Sequence, residues 1–341
     1  KCRKRFHHHR PEEAPQNSYT AGNSIYAGYI ATEYYPVAPL LVNLGVRYEI
    51  SKQWVDYYTD GGKAERSELN KNDLFPSLNM KYQMNEKNSL RFAFSRTVTR
   101  PSFIEMAPFL YQESYGSAQI RGNADLQNGY NYNIDLRYEL FEKNGDMLSI
   151  TAYYKHLKAP IERVQTLSGG SAVHSFRNAD NGMATGVEIE FRKEIVKDLR
   201  FGVNGSYMYT NVKLPEGGAY TNSQRALQGA SPYLANADLT YSPAFSNDRQ
   251  LSVALLYNLQ GPRIHSVGIS GLGDIKQQPV HTLNFTGSYR FNRRFAVKLQ
   301  VNDLLNQDIL FKQEVPTTGD KVEVERFRKG TGFEVGFSYD L

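Results

Sequence analysis

Between residues 130 and 140 apolar and polar side chains alternate without a break. Tyr130, Tyr132, Ile134, Leu136, Tyr138 and Leu140 fall on one face of an extended chain, and Asn131, Asn133, Asp135, Arg137 and Glu139 on the other. A period of two held this long predicts a β-strand, because successive side chains of a strand point to opposite faces. The same alternation recurs at 40–49, 78–83, 90–95, 148–155, 187–192, 201–207, 236–241, 283–290, 297–302 and 333–341. With the regions 24–35, 174–194 and 250–265, the pattern predicts about thirteen strands.

The connections sort into two kinds. Short ones at 35–39, 85–88, 143–146, 196–198, 244–248 and 292–294 carry the Pro, Gly, Asn and Asp of tight turns. Long ones near 52–72, 101–127, 166–173, 214–228, 266–277 and 307–320 are rich in Gly, Ser, Gln and charge. Short turns at one end and long loops at the other predict an all-β fold, an antiparallel transmembrane β-barrel with periplasmic turns and extracellular loops. The apolar face of each strand then meets lipid and the polar face lines the lumen. An odd strand number predicts part of a larger barrel, a curved wall with two free edges; membranes do not tolerate unpaired edges. The expected organisation is a polar or disordered segment at 1–23 followed by barrel from 24 to 341.

Composition narrows the alternatives. No stretch approaches the roughly 18 apolar residues of a spanning helix, which leaves strands as the route through a membrane. The 24 Tyr and 18 Phe suit strands and membrane interfaces. A net charge of +5 is spread over strands and loops with no basic stripe, so no nucleic-acid partner is expected. The single Cys2 excludes an internal disulfide. No signal peptide opens the chain, because no apolar segment follows the basic KCRKRF.

Several stretches resemble the C-terminal barrel region of TonB-dependent outer-membrane receptors, especially the type common in Bacteroidetes. DLFPSLNMKYQMNEKNSLRFAFSRTVTRPSF, at 73–103, resembles that family's FPSLN strand, its turn and its SR-T-RPSF strand end. Gly122-Asn123 with Asp125-Leu126 resembles its GN-x-x-L element. The segments at 133–141, 149–162, 176–193 and 301–307 follow in the family's order. Two features depart from it: the chain ends in Leu341 instead of an aromatic, and it contains neither a plug domain nor a TonB box. The resemblance implies about thirteen strands of a 22-strand barrel and energy-coupled uptake of a scarce nutrient such as a metal chelate, a glycan or a peptide. It implies no cofactor and no catalysis. The implied partners are the TonB complex, through an N-terminal region not in this chain, outer-membrane lipid, the barrel-insertion machinery and a surface lipoprotein. A passive porin or adhesion barrel stays open, and more remotely a barrel hydrolase, although no G-x-S-x-G motif is present and His174 near Asp180 has no evident nucleophile.

Two sets of candidate residues follow. Lumen-lining positions are Arg47, Glu49, Lys81, Arg91, Asp135, Arg137, Glu139, Glu188, Glu190, Arg192, Asp238 and Arg290; they could bind substrate, hold a plug, or form a solvated wall of local ion pairs. In and beside the loop 101–127, Arg100, Phe103, Tyr111, Tyr115 and Arg121 combine rings and guanidinium groups that suit sugars, peptides or chelates. The alternative is a loop folded over the lumen without ligand contact. Cys2 with His7, His8 and His9 offers soft ligands, but three adjacent histidines converge poorly on one ion, and no metal site is expected.

Overall fold

The computed structural model describes residues 6–7, 18–59, 61–112, 119–168, 171–215, 220–243, 245, 248–269 and 271–340. Its main sheet contains fifteen strands, of which Phe6–His7 and Gln224–Arg225 are two-residue pieces. The others form the wall: β1 (Tyr19–Val37), β2 (Leu40–Tyr58), β3 (Ala64–Gln83), β4 (Asn88–Thr99), β5 (Gly129–Phe141), β6 (Met147–Lys158), β7 (Asn181–Val196), β8 (Leu199–Lys213), β9 (Tyr233–Tyr241), β10 (Gln250–Gln260), β11 (Val280–Arg290), β12 (Phe295–Asn302) and β13 (Gly332–Tyr339). Each pairs antiparallel with its neighbour in chain order. The sheet is open among the described residues: β1 pairs outward only with Phe6–His7, and β13 has β12 alone.

Register separates the two faces. One row runs Val42, Met80, Phe92, Leu136, Ala152, Val187, Tyr207, Tyr233 across eight strands. Another runs Gln83, Ser89, Glu139, Ser149, Glu190, Asn204, Asn236, Asn258, Thr282. The first kind of row is apolar and half-buried to exposed, as suits a lipid-facing surface. The second is polar and, in places, buried. Nothing but the alternation of the sequence is needed to produce this, since a slip of one residue would turn every strand inside out.

Three expectations change. The stretch 52–72 is not a loop: β2 and β3 stay paired from Ser51↔Lys71 up to Tyr58↔Ala64, leaving only residues 59–63 to connect them. At about 3.3 Å per residue these strands reach some 60 Å, far more than the hydrocarbon core. Their upper halves stand clear of lipid, so both faces carry polar residues and the period-two signal fades. The loop near 166–173 belongs to a hairpin, Ile161–Ser168 with Ser171–Asn178, and the loop 307–320 to another, Ile309–Val315 with Asp320–Phe327. Finally, the first wall strand begins at Tyr19, not at 24, because Ala21 is buried under the loop that follows β4.

The long connections fold into two small sheets at that end of the wall. One contains the hairpin 161–178 with Ile120–Arg121 and Leu110–Tyr111; the other contains Arg263–Ser266, Ile275–Gln277 and the hairpin 309–327.

Candidate functional site

The loop after β4 is fixed to the polar face of β1–β3. Ser102 caps the one-turn helix Phe103–Met106 in a capping box with Glu105. The helix thereby delivers Met106 and Ala107 to a cluster with Ala21, Val55 and Leu69, all fully or nearly fully buried. Gln53 donates to the Pro101 carbonyl at 2.6 Å, and Ser67 to the Ala124 carbonyl at 2.6 Å. Asn123 ties the loop together: its backbone N–H donates to Glu105 O (2.6 Å), its side-chain amide donates to Phe176 O (2.9 Å), and its side-chain oxygen accepts from Asp125 N–H (2.9 Å).

Four loop elements then meet. The helix Phe103–Met106, the hairpin 161–178, the segment 228–229 and the strand Arg263–Ser266 surround a cavity of about 280 Å3, which Glu105, Glu162, Arg163, Phe176, Arg263 and His265 help to line. Behind it lies a buried polar network. Arg163 Nε donates to His174 Nδ1 at 2.8 Å, and Nε2 of the ring lies 3.2 Å from Ser266 Oγ. Burial, with the charges of Arg163 and His265, lowers the His174 pKa to about 4. Glu162 and Arg225 form an ion pair at 2.9 Å with side chains 4% and 3% exposed. Burial pushes the Glu162 carboxyl up, against the pull of Arg225.

The sequence-predicted loop residues go to different places. Arg100 donates to Glu49 Oε2 at 2.6 Å. Phe103 packs against the Met106 cluster. Tyr111 has its ring 5.9 Å from that of Phe109, and Arg121 is paired in register with Leu110. Tyr115 lies outside the described residues, as do Cys2, His8 and His9 and the side chain of His7.

The lumen candidates fall on one face by register. Glu49 accepts from Arg47 at 2.7 Å as well as from Arg100. Arg91 and Arg137 stand opposite each other, and both donate to Glu139, at 2.7 and 2.8 Å. Arg137 lies 3.9 Å from Glu190, and Arg192 3.5 Å from it. Lys81, Asp135, Glu188 and Asp238 occupy rows of the same face, and Arg290 lies opposite Ala296 at its turn end.

Sequence reading missed Glu105, Glu162, Arg163, Arg225, Arg263 and His265, and gave His174 no neighbour but Asp180. A signal was present: the sequence pair Gly169-Gly170 between two strand-like runs is a hairpin signature, and the pairing of Ile161–Ser168 with Ser171–Asn178 sets His174 opposite Gln165.

A family model for the outer membrane protein β-barrel family matches residues 7–339. The chain belongs to this family. It is thus an outer-membrane protein. Over 270 residues it is 21% identical to the ferric enterobactin receptor of Pseudomonas aeruginosa, a match covering 73% of this chain and 35% of that protein. The ferric yersiniabactin uptake receptor FyuA of Yersinia pestis superposes with a TM-score of 0.67 at 14% identity, over 95% of this chain and 46% of that one. The ferric-catecholate import receptor Fiu of E. coli superposes with a TM-score of 0.64 at 13% identity, over 94% and 45%. At these identities the likeness establishes the fold. The chain spans about a third of the curated relative and about half of the solved barrels.

Proposed function

We propose that this chain is barrel wall and extracellular loop cap of a TonB-dependent receptor, and that its loops capture an anionic ferric chelate for energy-coupled uptake. The observation that carries the reading is the convergence of four loop elements on a cavity lined by Arg163, Arg263 and His265. Guanidinium groups bind oxyanions with directed, charge-assisted hydrogen bonds. Glu105 and Glu162, in the same lining, would limit the cavity to ligands that bring negative charge to the arginine side. The relatives named above are receptors for ferric chelates, which supports the same class of substrate. Uptake leaves the chelate chemically unchanged, so the chain's residues bind and release; coupling to TonB falls to parts of the full receptor beyond this wall.

The test uses the full-length receptor in its native outer membrane. Uptake of radioactive iron is measured with an anionic ferric catecholate and with a neutral ferric hydroxamate. Arg163→Gln with Arg263→Gln should weaken capture of the catecholate by about a hundredfold and leave the hydroxamate unaffected. Undiminished catecholate capture by a correctly inserted variant refutes the assignment of the site. Absence of any chelate uptake by the parent receptor refutes the substrate class.

A further inference from the structure

A second cavity, of about 600 Å3, adjoins the first. It opens above Tyr207↔Tyr233, where the pairing of β8 with β9 ends, and Arg263 and Ile264 line both cavities. The Glu162–Arg225 ion pair stands at the same junction: its carboxylate belongs to the lining of the smaller cavity and its guanidinium to that of the larger. At about 280 Å3 the smaller cavity falls below the roughly 300–1,000 Å3 of ordinary ligand pockets. A chelate held by Arg163 and Arg263 therefore has to extend into the neighbouring space, past Arg225.

Arg225 is fixed in place and short of partners. Its backbone pairs with that of Val212 on β8, a fully buried residue. Its Nη1 donates to the adjoining Ala226 carbonyl at 3.2 Å, and its Nη2 lies 2.9 Å from Glu162 Oε2. Nε has no hydrogen-bond partner among the described residues, and Nη2 meets Glu162 without the alignment of a hydrogen bond. Buried donors left unused are unfavourable, and a guanidinium fork matches a carboxylate or a phosphate. Two more cations, Arg263 and Lys276, line the larger cavity, whereas Asp274, the carboxylate in that lining, already accepts from the Gly268 N–H at 2.9 Å. Glu162 has an alternative partner as well. Arg177 stands directly opposite it in the hairpin, close enough for the two side chains to pair.

We propose that Arg225 is a specificity-determining residue: an anionic group of the ligand, separate from its iron-binding centre, displaces Glu162 from Arg225, and Glu162 turns to Arg177. This rests on the capture of an anionic chelate proposed above, and narrows it to chelates that carry a second, pendant negative charge. The larger cavity holds the pendant arm. Glu162 acts as a placeholder for that charge. A neutral arm offers Arg225 nothing to replace the carboxylate it loses, so the buried pair stays closed and the arm is left outside. The exchange breaks no covalent bond and leaves every charge with a partner.

The full-length receptor in its outer membrane tests this with two chelates of radioactive iron: a linear tris-catecholate ending in a free carboxylate, and the same molecule ending in a carboxamide. Equilibrium capture by the parent should favour the carboxylate form by about tenfold. Arg225→Gln should erase that preference. Glu162→Gln frees the guanidinium beforehand, and should strengthen capture of the carboxylate form by about tenfold while leaving the carboxamide form unchanged. The opposite signs separate ligand exchange from a purely structural pair, in which either substitution would loosen the cap and weaken both forms alike. Arg225→Lys guards against a cap that fails to fold: it keeps the charge without the fork, and should reduce the preference without weakening capture of the carboxamide form. Equal capture of the two forms by the parent, with the dependence on Arg163 and Arg263 intact, overturns this inference alone. So does weakened capture of the carboxylate form by Glu162→Gln. A parent that captures neither form refutes the function assigned to the cap, and this inference with it.

Discussion

Arg100 and Glu49 meet across the inside of the wall, the Nη2 of one donating to the Oε2 of the other at 2.6 Å. Glu49 is on β2 and Arg100 follows β4, so this bond fixes the loop two residues before Ser102 starts its helix. The second carboxylate oxygen is taken by Arg47 at 2.7 Å. Arg100→Ala should loosen the loop and spare the barrel. Losing one charge-assisted bond at a site that still admits some water costs about 2 kcal/mol. Amide exchange at Met106 and Asn123, whose N–H groups bond to Ser102 O and Glu105 O, should accelerate by roughly thirtyfold, while exchange in β5–β8 stays as it was. Unchanged exchange at those two amides would show that the apolar cluster alone holds the loop.

Gly122 is a packing requirement of the same loop. A Cβ there would lie 2.1 Å from Ala107 O and 2.6 Å from Ile104 O, both backbone atoms that cannot swing aside. Gly122→Ala should therefore displace the segment 122–126 from the helix and break the Asn123 bond to Glu105. A cost of about 2–3 kcal/mol is expected, read as earlier loop cleavage in limited proteolysis. Cleavage at the parental rate would mean that the two segments can separate without loss.

These two sites show what was legible in the sequence. The GN-x-x-L element is a resemblance as sequence; in the structure its Gly permits close approach, its Asn links two loops, and its Leu126 is fully buried. The wall could be read because lipid on one face and water on the other force a strict period of two. That rule stops where β2 and β3 leave the membrane, which is why 52–72 reads as loop. The loop cap could not be read for a different reason. Glu162 meets Arg225, and His174 meets Ser266, across long stretches of chain, and no local pattern encodes a contact between loops.

His174 makes the loop cap acid-sensitive. Its pKa is near 4 in the folded cap, below the ordinary 6.5 of an unfolded chain. The folded form binds fewer protons, so the stabilisation is complete above pH 6.5 and is lost as pH falls through 6.5 towards 4, by at most about 3 kcal/mol. Protonation would also place a proton on Nδ1, against the Arg163 N–H. Glu162 works in the opposite sense: its raised pKa makes the cap gain from protonation as pH falls, a gain lost again as pH rises through that pKa. His174→Asn keeps an acceptor for Arg163 and removes the titration. Loop proteolysis should then stop increasing between pH 6.5 and 4.5, whereas the parent becomes more susceptible over that interval. The same acid response in both proteins would assign it to another group.

Leu136 and Asn133 test the two faces of a single strand. Leu136 is about half exposed and lies in the row shared by Met80, Phe92, Ala152 and Val187, an entirely apolar neighbourhood. Asn133 lies on the opposite face and donates to Ser95. Arginine at 136 faces an apolar surface, and must snorkel past the row of Phe94, Ile134 and Tyr154 to reach the polar row of Arg96 and His156. Leu136→Arg should cost about 2–4 kcal/mol near the membrane midplane. Asn133→Arg loses weak hydrogen bonds but keeps its charge in a polar, hydrated row, and should cost about 1 kcal/mol or less. Urea unfolding of the full-length protein in phospholipid vesicles gives both numbers on one scale. Equal costs would mean that the rows have been assigned to the wrong sides, and with them the lumen positions of Glu139 and Glu190.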